Sequence, residues 1–579
     1  MPTDPPDRSA VEATKEASRH LRGDLPAELG AADDAFTNDG AALLKFHGIY
    51  QQDDRDVRRE RKLKGLGLSY RCMIRTKIPG GAVDADQYLA LDRLADEVAD
   101  GTLRVTTRQD IQYHFVHKAD LAGLVAAVNR AHLTTFGACG DVVRNVVCCP
   151  APLPDGRQDE LLDAATTLTR RLLPQTEAYW ELWIDGERAA TAQPPAAAAA
   201  VEPLYGATYL PRKFKIGIAW PGDNCIDVLT QDFGAVPADG PSGKPGFVVF
   251  AGGGLGQSHA DEDTFPRLAD AFAWIPAAAL PEVAEAVVGV HRDFGNRKDR
   301  RRARLKYVID ERGLDWFTAE VARRVDVPLH PPGTFAPWRG SPDHLGWHEQ
   351  ADGPLFLGVP VANGRIRDTE HGRQRTALRE VVARFRPGIR FTARQDVLLT
   401  GLDPADRGAV EAIFRRAGSP LATDLTPVRR LALACPALPT CGQALAEAER
   451  VMPEVVDQLE LALAGLGLDH LPIDVRMTGC PNGCARPYTA EIGVVGRTKR
   501  GYDVYVGGAP SGDRLAGRLA KNVKLEVVVD TLRPLLERWR SEAPDGEPFG
   551  DFWSRVGLPE VEEPVLVGAG AGGAGGRRR

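Results

Sequence analysis

The sequence predicts a mixed α+β and α/β protein made of two pseudo-symmetric halves, each a smaller α+β unit followed by a larger α/β unit. Three observations carry this reading. The first is an internal repeat. The stretch Arg104-Val-Thr-Thr-Arg108-Gln-Asp-Ile-Gln resembles Arg390-Phe-Thr-Ala-Arg394-Gln-Asp-Val-Leu at an offset of 286, which also pairs Arg144 with Arg430 and Cys149-Pro-Ala with Cys435-Pro-Ala. The second is that each copy reads as a strand, an amphipathic helix (119–132 and 404–417) and a further strand. The third is a fainter match between Val248-Val-Phe-Ala-Gly-Gly and Asp503-Val-Tyr-Val-Gly-Gly, each a strand ending in a glycine turn. Two such halves would pack around a pseudo-two-fold axis, with a cleft that suits a cofactor.

In chain order, residues 1–40 are polar and rich in Pro, Asp and Ala, and read as an arm extended over the surface or carrying short helices. The first smaller unit is assigned to 41–138 and the first larger unit to 139–330, with a Pro/Ala connector at 192–203. The second pair spans 331–424 and 425–560, and a disordered Gly/Arg tail occupies 561–579. In that tail Gly568, Gly570 and Gly573 match the spacing G-x-G-x-x-G. A dinucleotide site also needs a following helix and second strand, so this match is rejected and no nicotinamide site is expected.

Composition sets the outer bounds. The 579 residues are 43% hydrophobic and 26% charged, the range of an ordinary soluble protein. A net charge of −7 argues against bulk nucleic-acid affinity. No run approaches the ~18 apolar residues of a membrane span, and the amino terminus lacks the apolar core of a secretory signal. The expected compartment is the cytoplasm, with neither a membrane nor a nucleic acid as partner.

Nine cysteines are too few for a disulfide scaffold, and their distribution is informative. Cys435-x5-Cys441 and Cys480-x3-Cys484 form two tight pairs rich in Pro and Gly, which suits loops around an iron–sulfur cubane held by four thiolates. Two other readings compete: structural zinc, whose knuckles fit a C-x5-C poorly, and four unrelated buried thiols. Cys149 occupies the place equivalent to Cys435, but Asp155 stands where Cys441 would be, so the first half does not repeat the cubane site.

These cysteine motifs, with Ala490-Glu-Ile-Gly-Val-Val-Gly after them, resemble those of the sirohaem-containing sulfite and nitrite reductases. The segment Lys45-Phe-His-Gly-Ile-Tyr-Gln-Gln-Asp-Asp-Arg-Asp is similar to the assimilatory sulfite reductase haemoproteins. The resemblance runs from about residue 20 to about 560. It implies that the smaller units are ferredoxin-like and that the larger ones bind sirohaem and a [4Fe–4S] cluster. It further implies that Cys435, Cys441, Cys480 and Cys484 hold the cluster, and that Cys484 bridges to the sirohaem iron.

The same resemblance implies the roles of the basic residues. Arg75, Arg144, Lys213 and Lys215 would grip sulfite on the open face of the iron, with the lysines donating protons. Arg104, Arg108, Arg212, Asn296, Arg300, Arg304 and Lys306 would meet the carboxylates of sirohaem. Arg104 and Arg108 have a competing structural reading, because Arg390 and Arg394 repeat them. The run Arg292–Lys306 holds eight basic residues, fits a helix start, and could instead be a nucleic-acid patch.

The implied activity is the six-electron reduction of sulfite to sulfide, served by an external donor. That donor is either an NADPH-dependent flavoprotein, towards which the Gln51-Gln-Asp-Asp-Arg-Asp pattern leans, or ferredoxin. Nitrite reduction to ammonia is the neighbouring alternative, and a zinc-stabilised nucleic-acid-binding protein the distant one. Some related enzymes join a Tyr and a Cys covalently beside the haem. Tyr50 and Cys139 stand in similar contexts, with an ordinary Tyr near an ordinary thiol as the competing reading.

Overall fold

The computed structural model describes residues 8–152, 158–175, 181–184, 187–191, 202–259, 261, 263–333, 338 and 340–559. The expected connector as far as residue 201, Asp155 and the 561–579 tail lie outside these residues.

Two five-stranded antiparallel sheets come from the smaller units, and each borrows its last strand from the other half. The first runs Ile49–Asp53, Tyr70–Arg75, Ile111–Val116, Leu103–Val105, and then Arg365–Ile366 from the second half. The second runs Gly346–Glu349, Leu355–Val359, Val397–Leu402, Gly388–Phe391, and then Ala82–Val83 from the first half. The repeated segment is therefore a hairpin of two strands ahead of each helix, where the sequence reading expected one. Thr106–Asp110 and Thr392–Asp396 make the turns, with Gln109 and Gln395 left-handed at φ 59° and 74°. Asn and Gly are the commoner residues at such positions, so the turn is not readable from composition.

The larger units have one topology in both halves. Val143–Cys148, Phe214–Ile218 and Phe233–Asp239 are parallel, followed by antiparallel Pro245–Ala251 and Asp270–Pro276. Leu433–Ala434, Val475–Thr478 and Ile492–Gly496 are likewise parallel, followed by Gly501–Val506 and Gly517–Lys524. A parallel pair needs a crossover, and the helices Gln158–Arg171 and Met452–Leu466 provide one in each half. The ends of the first two parallel strands in each sheet are the usual place for a ligand in an open α/β sheet.

The halves interlock at the pseudo-axis through paired, reciprocal contacts. Gln109 Nε2 donates to Phe391 O at 3.0 Å, and Gln395 Nε2 donates to Val105 O at 3.4 Å. Gly81 (φ 73°) and Gly364 (φ 77°) sit where an added Cβ would lie 2.4 Å from Phe391 O and Val105 O respectively. Asp110 accepts from Ile78 N at 3.2 Å and Asp396 accepts from Val361 N at 2.8 Å. Burial raises both carboxyls, Asp110 to about 7 and Asp396 to about 8. Across the same junction Arg375 donates to Asp92 at 2.6 Å and to Asp96 at 2.5 Å.

The amino-terminal segment carries short helices, one of the two forms the sequence suggested, and is packed more deeply than a surface arm. Helix Ala10–Ala17 buries Glu12 and Lys15, each 1% exposed. Lys15 Nζ donates to Leu210 O at 2.8 Å and lies 3.6 Å from Asp141, while Glu12 pairs with Arg297. Leu21, Leu25 and Phe36 are buried as well. A short helix that buries charged residues has no apolar periodicity to announce it.

Two outcomes test this junction. Gly364→Ala should lose about 2 kcal/mol or more in urea unfolding, while Gly401→Ala, at φ 72° with open space around its Cβ, should lose about 1 kcal/mol. Equal losses would remove the close approach as the reason for Gly364. A carboxyl raised on folding contributes stability at low pH that is lost as pH climbs towards its folded value. The Tm of Asp396→Asn relative to the parent should therefore rise from pH 5 to pH 8 and level off above, and a flat or falling difference would show an ionised Asp396.

Candidate active site

The two cysteine loops hang from neighbouring parallel strands. Cys435 follows Leu433–Ala434, and Cys480 and Cys484 follow Val475–Thr478. Gly479 N donates to Cys435 Sγ at 3.3 Å and Asn482 Nδ2 to Cys480 Sγ at 3.5 Å, polar contacts of the kind that thiolates in a cluster accept. Cys435 and Cys480 are buried and Cys441 is half-buried, whereas Cys484 is exposed. Thr107 Oγ1 donates to the Cys484 carbonyl at 3.0 Å, joining this loop to the repeat turn of the first half.

Burial raises the thiols of Cys435, Cys441 and Cys480, the last to about 12, and for all three the next cause is the charge of Cys484. The four sulfurs are thus close enough to sense one another. They are nevertheless absent from the described groups whose ligand atoms all fall within 4.8 Å. A single tetrahedral zinc would hold thiolates about 3.8 Å apart. The spacing fits a multi-iron cluster, with three sulfurs enclosed and one left open for sharing.

Facing this loop is a group of cations with few counter-charges. Arg212, Lys213 and Lys215 flank and begin strand Phe214–Ile218, and are half-buried yet walled in by protein. Among the described residues, no hydrogen bond or ion pair engages their side-chain nitrogens. Burial and then Arg212 push Lys213 down to about 7, and burial and then Lys213 push Lys215 well below its ordinary value. Burial lowers Arg212 as well, and Cys484 is among the charges felt by Lys213, Lys215 and Arg75. Arg144 is aimed by the carbonyls of Gly140 at 2.8 Å and Ala138 at 3.4 Å, and bonds to Tyr50. Tyr50 also feels Cys139, so that pair lies within electrostatic reach. Such a gathering of cations suits an anion, and three without a partner among the described residues, beside several arginines, suit a macrocycle rimmed with carboxylates.

Other residues named from sequence have their polar groups engaged inside the protein. Arg104 is 1% exposed, pairs with Glu449 at 3.0 Å and donates to Asn363 O at 2.9 Å and Ala434 O at 2.8 Å. That supports the structural reading of Arg104, as a tie between the halves. Arg108 donates to Gln231 Oε1 at 2.5 Å, to Ile216 O at 2.9 Å and to Asn145 O, and burial lowers it to about 9. Arg300 forms a two-toothed pair with Asp141 at 2.9 and 3.1 Å, and Arg304 one with Asp232 at 2.9 and 2.7 Å. Lys306 donates to Gly254 O and Gly256 O at 3.0 Å, and also to Phe265 O. Asn296 Oδ1 accepts from Lys298 N and Asp299 N, capping a turn.

The basic run holds the expected helix start, at Leu305, but is not a single element. It is the end of helix Leu280–Phe294, a turn at Arg300–Arg302, and the beginning of helix Leu305–Arg312. Arg292, Arg297, Arg300, Arg301, Arg302 and Arg304 each meet a carboxylate, so the run presents no bare positive stripe.

Several functional neighbours were not singled out from sequence. Lys77 donates to Val143 O at 3.1 Å, and burial lowers it to about 7. Lys45 lies 5.9 Å over the Tyr50 ring and is lowered by burial. Asp141, against the opposing effect of burial, is held at about 2 by Lys15 and Arg300. Asp232 backs Arg304 and accepts from Lys215 N at 2.8 Å. Lys45 opens a motif quoted for the resemblance, and Lys77 lies two residues after Arg75, so the excess of cations there was the available signal.

Comparison with known proteins agrees with this geometry. The model described as "Nitrite and sulphite reductase 4Fe-4S domain" matches residues 139–329 and 427–569. The "Nitrite/Sulfite reductase ferredoxin-like half domain" matches 68–131 and 348–417. The sulfite reductase [NADPH] hemoprotein beta-component of Myxococcus xanthus is 43% identical over 98% of this chain and 99% of its own. The sulfite reductase [ferredoxin] of Synechococcus elongatus is 41% identical over 97% and 92%. Among solved structures, the NirA protein of Mycobacterium tuberculosis superposes with a TM-score of 0.77 at 25% identity, covering 95% of this chain and 96% of that one. With matched domains in both halves and cysteine loops spaced for a cluster, the chain belongs to the nitrite and sulphite reductase family.

Proposed function

We propose that this protein reduces sulfite to sulfide at a sirohaem coupled to a [4Fe–4S] cluster, with electrons from a separate donor protein. The observation that carries the reading is the set of cations with no hydrogen-bond or ion-pair partner among the described residues, Arg212, Lys213 and Lys215, of which the two lysines feel the charge of Cys484, the exposed cysteine of the four. When bound, sirohaem and cluster supply a substrate-binding iron and electrons one at a time. Cys435, Cys441, Cys480 and Cys484 would hold the cluster, and Arg212 would meet the macrocycle's carboxylates, while Arg108 and Arg304 stay engaged by Gln231 and Asp232.

The chain's own part in the reaction is electrostatic and protonic. Sulfite, six electrons and seven protons give hydrosulfide and three waters. Arg75 and Arg144 fix the anion's oxygens, and Arg144 keeps its aim through the Gly140 and Ala138 carbonyls. Lys213 and Lys215 hold the protons that leave with those oxygens, and a Lys213 near 7 releases and regains a proton at neutral pH. Two adjacent lysines match the doubly charged sulfite better than singly charged nitrite. We assign the donor as an NADPH-dependent flavoprotein and the compartment as the cytoplasm. Among the described residues no helix is long and apolar enough to cross a membrane, and all nine thiols are free.

Two variants test the reading. Lys215→Met should keep its sirohaem absorbance and lose about 100-fold or more in kcat with sulfite, with a smaller loss with nitrite. Unchanged sulfite turnover would remove the proton role, and a parent preference for nitrite would overturn the substrate. Cys484→Ser should lose the spectroscopic coupling between haem and cluster, and a retained coupled signal would displace Cys484 as the bridge.

A further inference from the structure

The first half carries a second constellation of soft and hard ligands, on the opposite side of the pseudo-axis from the cluster cysteines. Cys149, Asp223, Cys225 and His344 each present one ligand atom, and these four atoms lie within 4.8 Å of one another. Cys149 Sγ is 3.0 Å from Asp223 Oδ2 and 3.9 Å from His344 Nε2, and His344 Nε2 is 3.0 Å from Asp223 Oδ2. Cys149 is 2%, Cys225 3% and Asp223 8% exposed, so the cluster is enclosed.

The position follows from the repeat. Cys149 comes just after the first parallel strand of its sheet, as Cys435 does in the second half at the offset of 286. Cys225 and Asp223 lie in the loop between the second and third parallel strands, as Cys480 and Cys484 do in theirs. His344 arrives from the segment linking the halves, ahead of strand Gly346–Glu349. Where the second half opens four sulfurs to a size suited to a multi-iron cluster, the first half closes a smaller and mixed set.

We infer that Cys149, Asp223, Cys225 and His344 form a structural zinc site, separate from the sirohaem and cluster machinery. Two thiolates, an imidazole and a carboxylate are all zinc ligands, and four protein donors with no open position mark a structural site. Bonds of about 2.0–2.3 Å place tetrahedral ligand atoms about 3.3–3.8 Å apart, so the contacts among Cys149, Asp223 and His344 need shift by only about half an ångström, and Cys225 Sγ, within 4.8 Å of the other three, has to close in on them. The surroundings are ready for it. Asp223 Oδ1 accepts from Cys225 N at 2.9 Å, which turns its other oxygen to the cluster. Asn224 N donates to Gly340 O, Ser341 Oγ to Asn224 O at 3.1 Å, and Arg430 pairs with Asp343 at 2.8 Å, so both loops are already anchored. Gly222 and Asp343, chain neighbours of Asp223 and His344, line a cavity of about 850 Å³ next to the group. The zinc would pin the linking segment, and with it the second half, to the first large sheet. The inference does not depend on the proposed activity.

The test uses crystals and solutions of the holoenzyme purified without chelator. Anomalous maps from data on either side of the zinc absorption edge should show one peak among the four residues that vanishes below the edge, while iron peaks persist. Elemental analysis should give about one zinc per chain, falling below about 0.1 in Cys225→Ser and His344→Ala with iron and haem absorbance unchanged. Cys148→Ala, the adjacent thiol outside the four, should keep its zinc. No zinc peak at these residues, iron in its place, or a Cys149–Cys225 disulfide in peptide mapping would each overturn the site. Should the variants fail to fold, the anomalous map of the parent protein decides alone.

Discussion

Like charges held together away from water are the constraint around which this protein is arranged. Two cations about 5 Å apart at an effective dielectric of ~20 repel by about 3 kcal/mol, and burial adds a desolvation cost to each. Arg212, Lys213 and Lys215 carry both costs with no carboxylate in contact among the described residues, Asp141 acting on Arg212 only from a distance, and Arg144 stands close to Lys213. An arrangement of that kind persists because the rest of the fold enforces it, and it is relieved when polyanions enter. Asp141 and Asp232 hold the flanking arginines in place while leaving the central cations unmatched.

The enforcement comes from the interlocked halves. Each small sheet ends in a strand taken from the other half, and Gln109 and Gln395 bond across the axis to the partner hairpin. Thr107, in the first-half turn, bonds to the carbonyl of Cys484 in the second half. The thiol side and the cation side of the site therefore belong to different halves, and their alignment depends on the exchange. The buried amino-terminal helix serves the same end, with Lys15 and Glu12 tied to Asp141 and Arg297 behind the cations.

Much of this was legible in the residues. The offset of 286 announced the two halves because repeat register survives in sequence, and the two cysteine loops announced the cluster because its ligands are few and closely spaced. What sequence could not show was which basic residues are engaged and which are free. Arg104 and Lys213 look alike in a string of letters, yet one is consumed by Glu449 and two carbonyls and the other has no partner among the described residues. That difference is set by acids and carbonyls hundreds of residues away. The strand exchange was hidden for the same reason, since Ala82–Val83 and Arg365–Ile366 are too short to carry a period. The four-ligand group at Cys149 was invisible because two of its members, Asp223 and His344, belong to no motif.

The most direct measurement is the joint assay of iron, acid-labile sulfide and extracted tetrapyrrole, with the visible and EPR spectra, on protein produced with ample iron and sirohaem supply. The account predicts a coloured protein in which sulfide and tetrapyrrole rise together and the haem and cluster signals are magnetically coupled. A pale protein, or one with tetrapyrrole but no acid-labile sulfide, would contradict it.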